Sequence, residues 1–267
     1  MEFFTLVLSG VLSLLVPAGF VLDRLAANAI RDPLEDAEVL AVRIDNTPTH
    51  QLLQGRVDRV RIAGRGLFPL EGVRIAVAEL ETGAIAVDPA DLRDGEITLE
   101  QPLNAAIRLV LDRADVNAAL RSPEIQEYLE DLSFSLALTP ETEGQEYEFI
   151  DPQIEFLADN RLRFQVVLRQ EGTEEQIQIQ AETGLTMVAG HQVQLIEPEV
   201  LINDQAIPPT FLVPLTEGLS RQFDLRRLEE SGLTVRILQL QVNPDQLAIA
   251  AILRAEPDSV LLNSSEN

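Results

Sequence analysis

Apolar and polar residues alternate along most of this chain from residue 37 onward. In LNAAIRLVLD (103–112) the odd positions Leu103, Ala105, Ile107, Leu109 and Leu111 are apolar, while Asn104 and Arg108 point the other way. A period of two marks a strand with one buried face. Strands are likewise read in AEVLAVRIDN (37–46), RVDRVRIAG (56–64), VRIAVAELE (73–81), YEFIDPQIEFLAD (147–159), RLRFQVVLR (161–169), EEQIQIQAETGLTMVAG (174–190) and HQVQLIEPEVLIND (191–204). AIAVD (84–88) and EITLE (96–100) are shorter, and LTVRILQLQV (233–242) with QLAIAAILRA (246–255) predicts a hairpin around Asn243-Pro244-Asp245. In GRGLFPLEG, between the second and third strands, the glycines and Pro69 read as turn formers.

Two segments change period. RADVNAALRSPEIQEYLEDL (113–132) carries Val116, Ala119, Leu120, Ile125, Leu129 and Leu132 at helical spacing. Asp112 is placed as its N-cap, and Ser122-Pro123 as the cap and first position of a second helix. PPTFLVPLTEGLSRQFDLRRLEESG (208–232) shows a stripe of Phe211, Leu212, Leu215, Leu219, Phe223, Leu225 and Leu228, with Gly232 suited to the stop. Strands joined by short turns, with two helical segments among them, predict an α+β class in which helices lie on a large curved antiparallel sheet. No short repeat or low-complexity linker divides residues 30–256, so one domain is expected, with residues 257–267 as a disordered tail.

The N-terminus obeys neither period. Residues 3–22, FFTLVLSGVLSLLVPAGFVL, carry no charge. As a helix they would be about 30 Å long, enough to cross a bilayer core. Three readings of residues 1–29 stand open: an uncleaved membrane anchor, a cleaved export signal, and a buried helix of the domain. Arg24 and Arg31 weakly favour a cytoplasmic domain by charge bias.

Charge narrows the partners. There are 44 acidic residues against 20 basic ones, all of them arginine, for a net charge of −24. Duplex nucleic acid needs a broad basic footprint, which this composition denies. With no cysteine there is no disulfide, thiolate metal site or cysteine nucleophile. His50 and His191 are isolated and read as solvated polar residues. No G-x-S-x-G, H-E-x-x-H, P-loop or G-x-G-x-x-G pattern is present, and no carboxylate pair stands out. Neither a metal nor a cofactor is expected, and no catalytic residue is assigned.

One segment departs from the acidic background. In GRVDRVRIAGRGLFPLEGVRI (55–75), Arg56, Arg59, Arg61, Arg65 and Arg74 meet only Asp58 and Glu71. Alternation puts Val60 and Ile62 on one face and Arg59, Arg61 and Ala63 on the other. Two readings follow. The arginines form a solvated face paired to Glu79 and Glu81 on the next strand. Alternatively Arg59, Arg61 and Arg65 contact a phosphate headgroup, which suits the planar guanidinium. Leu67, Phe68 and Leu70 beside Arg65 form a candidate membrane-dipping loop.

The run QLLQGRVDRVRIAGRGLFPLEGVRIAVAELET (51–82), followed by VDPADLRDGEITLEQPLNAAIRLVLDRADVNAALRSPEI (87–125), resembles the LmeA-like phospholipid-binding family. The resemblance rests on Gly64 to Gly66, the acidic turn Asp88 to Gly95, Leu99 to Pro102, and Asp115, Asn117, Ala119 and Leu120, and it spans about residues 35–255. It implies an elongated, tubular-lipid-binding-like module whose sheet curls around a long helix and leaves an apolar groove. It also implies phospholipid binding or transfer at a bacterial envelope membrane, on the exported side, without established catalytic residues. Candidate groove residues are Ile107, Leu109, Leu111, Leu120, Leu129, Phe211, Leu215 and Leu219. Two rivals are a tethered scaffold that binds a protein through a sheet edge, and a hydrolase built on a carboxylate pair.

Overall fold

The structure is a computed structural model, and it describes residues 34–45, 51, 54–88, 98–123, 125–126, 147–170, 176–257 and 259. In chain order the strands are β1 (Asp36–Asp45), β2 (Arg56–Val57), β3 (Arg59–Leu70), β4 (Val73–Thr82), β5 (Ile85–Ala86) and β6 (Leu103–Asp112). Helix α1 (Arg113–Ala119) follows, then β7 (Tyr147–Phe156), β8 (Arg161–Gln170), β9 (Gln176–Val188), β10 (Gln192–Ile202) and β11 (Gln205–Ala206). Helix α2 (Pro209–Gln222) and a 3-10 turn (Leu225–Ser231) precede β12 (Leu233–Val242) and β13 (Gln246–Ala255). The segment 1–29 and Leu129 lie outside the described residues.

Antiparallel sheet dominates, as the alternation predicts, but the strands form two principal sheets instead of one. The first has the order β1-β3-β4-β6-β13-β12, the second β11-β10-β9-β8-β7, and β2 pairs with β5 separately. The cause is a long-range return. β13 pairs with β6 from Leu103↔Ala255 to Asp112↔Gln246, so the end of the chain completes the sheet begun at its start. QLAIAAILRA is apolar at most positions, which suits a strand flanked on both sides. The intervening strands β7–β11 pair among themselves.

The six-stranded sheet packs its inner face into a core of Val60, Ile62, Leu103, Ile107, Val235, Ala251 and Leu253, closed by Val57, Ile85, Val87 and Leu99. GRGLFPL is not a turn: β3 runs through it, and the reversal comes at Glu71-Gly72. Gly66 makes this possible. Its φ of 55° shifts the alternation by one residue, so the Leu67 side chain folds over Gly64 on the core face. The neighbouring strands shift at the same level, from Ala37 to Leu40 and from Ile75 to Ala78.

The two sheets meet end to edge. The turns at one end of the five-stranded sheet close onto the free edge of β12: Ile237 N–H donates to the Gly190 carbonyl at 2.7 Å, and Val242 N–H to Asn160 Oδ1 at 2.8 Å. On the other side, α1 ties the sheets together. Arg74 on β4 pairs with Asp115 at 2.6 Å, and the Asn117 amide bonds both the N–H and the carbonyl of Ile154 on β7, each at 2.8 Å. Asp112 occupies the N-cap position without a side-chain cap bond, and Ser122 Oγ bonds back to the Ala119 carbonyl instead of capping forward. Gly232 does terminate the 3-10 turn in the left-handed conformation, φ 77°. Ser259, expected in a disordered tail, is fully buried against Gly232.

Candidate functional site

The outer face of the six-stranded sheet gathers the arginines, and the register explains how an acidic chain holds them. Asp45 faces Arg59, and Arg61 stands between Arg43 and Glu81. Arg59 pairs with Glu81 at 3.2 Å, and Arg61 with Glu81 at 3.1 Å and Asp45 at 3.3 Å. Arg108 pairs with Glu79 at 3.2 Å. Hydrogen bonding from Arg43, helped by Arg61 and Arg59, holds the Asp45 carboxyl below its usual range. Such exposed pairs each contribute little to stability, because water and salt screen them. Arg65 differs. It is exposed mid-strand, flanked in register by Val39 and Val77, with no ion-pair partner among the described residues.

The proposed membrane loop is corrected by the same strand. Leu67 is 4% exposed and belongs to the core, because Gly66 turns it inward. Phe68 is half-buried, and only Leu70, beside the Glu71-Gly72 turn, is exposed.

The candidate groove residues do not converge on one surface. Ile107 lies in the core of the six-stranded sheet, and Leu109 packs against that core. Leu111 and Leu120 are half-buried. On α2, Leu219 is half-buried, while Phe211 is 71% exposed. Leu215 lies on α2, but its side chain is outside the described set. The packed side of α2 is instead Leu212, Thr216, Leu219 and Ser220, at helical spacing.

A second apolar surface lies away from these residues, on the five-stranded sheet. The five-stranded sheet has one mainly polar and one mainly apolar face, although Val167, Ile196 and Leu201 stand on the polar one. One face carries Arg161, Arg163, Gln165, Gln178, Gln180 and Glu182, laced by Arg163 pairs to Glu182 at 2.9 Å and Glu155 at 2.7 Å, and by a Gln165–Gln180 bond of 2.7 Å. Hydrogen bonds from Arg163 and then Arg161 push the Glu182 carboxyl down. The opposite face aligns Ile154 with Phe164 and Ala181, and Val166 with Ile179 and Ile202. Leu162, Ile177, Leu185 and Met187 share that face by alternation.

Phe156, Val166 and Leu168 are buried there and belong to neither core cluster of the first sheet. Phe164, Ile177, Ile179, Ala181, Leu185 and Ile202 are half-buried. The strict alternation in RLRFQVVLR and QIQIQ carried this signal, but a period of two cannot say whether an apolar face is closed or open.

Bulges shape this sheet. Register slips occur at Asp151-Pro152 on β7 and at Glu197-Pro198 on β10. Asp151 (φ 47°) and Glu197 (φ 46°) are left-handed there. Proline fits because β7 is an edge strand and β10 nearly one, so no ladder donor is lost. An extra residue on each flank bends the strand and increases its twist.

Hairpin ends cover the β12 edge, Asn117 occupies the β7 edge, and α2 runs beside the β10 edge, held at its ends by β11 and the Gln192–Asp224 bridge; β1 is the remaining edge of the six-stranded sheet. Among the described residues, the carboxyl groups that leave their ordinary range, Asp45, Glu182 and Asp224, all move down through arginine contacts. A general acid needs the opposite shift. Among the described residues, no group of three or more His, Asp or Glu is placed to hold a metal ion, and no helix is long and apolar enough to cross a membrane.

The family model described as LmeA-like phospholipid-binding matches residues 15–252, and the chain belongs to that family. No curated protein and no solved structure matches it.

Proposed function

We propose that this protein binds phospholipid, and carries it, by laying the acyl chains against the apolar face of the five-stranded sheet. One observation supports the choice of face above all: Ile154, Phe164, Ile179 and Ile202, on four adjacent strands, are only partly buried there, whereas the first sheet gathers its buried apolar residues into a contiguous core. Each methylene withdrawn from water contributes about 0.8 kcal/mol, so ten methylenes supply roughly 8 kcal/mol before the cost of immobilisation. Such binding needs neither a cofactor nor a reactive side chain. Arg65, which has no carboxylate partner among the described residues, is assigned as a peripheral contact for lipid phosphate, while Arg59 and Arg61 serve mainly to balance Glu81 and Asp45. Residues 3–22 are assigned as the tether to an envelope membrane, with the domain on the exported side.

The test is native mass spectrometry and lipid extraction on the full chain, expressed in bacteria and purified without detergent. Stoichiometric phospholipid is expected, and Ala181→Phe, which fills the middle of the face, should lower occupancy at least tenfold with the melting temperature unchanged. Absence of lipid in the wild type, even after incubation with phosphatidylcholine vesicles, would overturn the proposal. A strongly destabilised Ala181→Phe would show that the face is a closed core.

A further inference from the structure

The five-stranded sheet has two unlike ends. At one, the turns around Asn160 and Gly190 are sealed onto β12. At the other, β10 ends at Ile202, turns through Asn203 and Asp204 into β11, and passes by Pro208-Pro209 into α2. The helix then runs back to the sealed end, where Asp224 bridges Gln192 and Leu225 N–H donates to the His191 carbonyl. The start of α2 is therefore fixed at the opposite end of the sheet whose apolar face is assigned to lipid.

That start is built unlike the rest of the surface. Residues 205–216, QAIPPTFLVPLT, carry no charge, in a chain where acids number 44 of 267 residues. Leu212 is turned inward at 5% exposure, but Phe211 is 71% and Val213 54% exposed, and Ala206, Pro208, Pro209 and Pro214 are also exposed. The result is a continuous uncharged projection tipped by an aromatic ring. The prolines fix φ before and within the first turns, so the ring is presented with little freedom left to lose on docking. An exposed carboxylate would be repelled by an anionic headgroup layer and costly to desolvate in any bilayer. The nearest basic group on the helix, Arg221, is 72% exposed and sits toward its other end.

We propose that this projection is a bilayer-docking tip. Phe211 and Val213 enter the boundary between headgroups and acyl chains, and so bring this end of the five-stranded sheet to the membrane from which lipid is drawn. Aromatic and aliphatic side chains on a short interfacial element are suited to that depth. The inference rests on the lipid-binding reading for its purpose, but its geometry is independent of which face holds lipid.

Residues 3–22 could hold the full chain on vesicles by themselves, so total binding is no test, and a local reporter is needed. The chain has no tryptophan. Phe211→Trp in the full chain therefore gives a single indole at the tip, and Val213→Trp gives an independent second position. With phosphatidylcholine vesicles, both emissions should shift to the blue and be quenched by phosphatidylcholine brominated on its acyl chains. Emission unchanged by vesicles at both positions would overturn the proposal. A blue shift that grows with protein concentration in the absence of lipid would also overturn it, because a second copy would then cover the tip. Quenching in the Phe211→Trp variant together with a lipid-free wild type by mass spectrometry would leave the docking tip standing and remove the carrier reading alone.

Discussion

Asn117 makes the sharpest test of how the two sheets are joined. Its side-chain amide donates to the Ile154 carbonyl and accepts from the Ile154 N–H, both at 2.8 Å, and also donates to the Arg113 carbonyl at 2.9 Å. Ile154 lies on the outer edge of β7, where no further strand follows in the sheet. In an antiparallel ladder alternate residues turn their N–H groups to opposite sides, so Gln153 and Glu155 bond to β8 and Ile154 turns outward to Asn117. Asn117→Ala removes both bonds to a half-buried backbone. At about 0.5–1.5 kcal/mol for each bond, the loss is about 1–3 kcal/mol. At about 2–4 °C per kcal/mol for a chain of this size, the melting temperature should fall by roughly 4–8 °C for a loss of about 2 kcal/mol.

Hydrogen exchange gives the local reading. The Ile154 amide should lose protection in the variant while Gln153 and Glu155 keep theirs. Asn117→Asp adds a signature of its own. The carboxylate can accept from Ile154 N–H but opposes two carbonyl oxygens, so its folded pKa is raised. A raised folded pKa means stability present below the unfolded value, about 3.9, and lost as pH rises through the folded one. The gap between Asn117→Asp and wild type should narrow as pH falls from 7 toward 4. An Ile154 amide that stays protected in Asn117→Ala would refute the bridge.

Two further predictions concern other parts of the fold. Glycine to alanine should act with opposite signs at two positions: at Gly218 a Cβ meets nothing within 4 Å, and alanine should stabilise α2 by about 0.5–1 kcal/mol. At Gly55 the φ is +70° and a Cβ would lie 2.5 Å from the Val87 carbonyl oxygen, so alanine should cost about 2–4 kcal/mol; paired thermal melts decide both. The Arg226 side chain, then the Arg226 N–H and His191, hold Asp224 well below the carboxylate range. A depressed folded pKa gives stability present above the unfolded value and lost as pH falls, so Asp224→Asn should be less stable than wild type at pH 7. That difference should shrink progressively below about pH 4 in a melting series, and a constant difference would contradict the assignment.

Local information in the chain determined which segments are strands. The pattern of Leu103 to Leu111 named β6 at its observed bounds, and the same holds for β12 and β13, because a half-buried strand must alternate. The pairing of Arg59 and Arg61 with Glu81 was one of two readings open from sequence, since both lie on neighbouring strands of one hairpin. Asp115 and Asn117 were visible as a motif, but their partners Arg74 and Ile154 lie 41 and 37 residues away, and spacing says nothing about such distances.

Tertiary structure alone decided the rest. The return of β13 to β6 split the expected single sheet in two, a non-local pairing that no periodicity encodes. One glycine with positive φ turned an expected loop into strand and moved Leu67 from solvent to core. The apolar face around Phe164 and Ile179 reads in sequence like the face around Ile107. What separates them is that Ile107 joins the contiguous core of the first sheet while Phe164 and Ile179 do not, and that depends on how whole sheets pack, not on the residues of either strand.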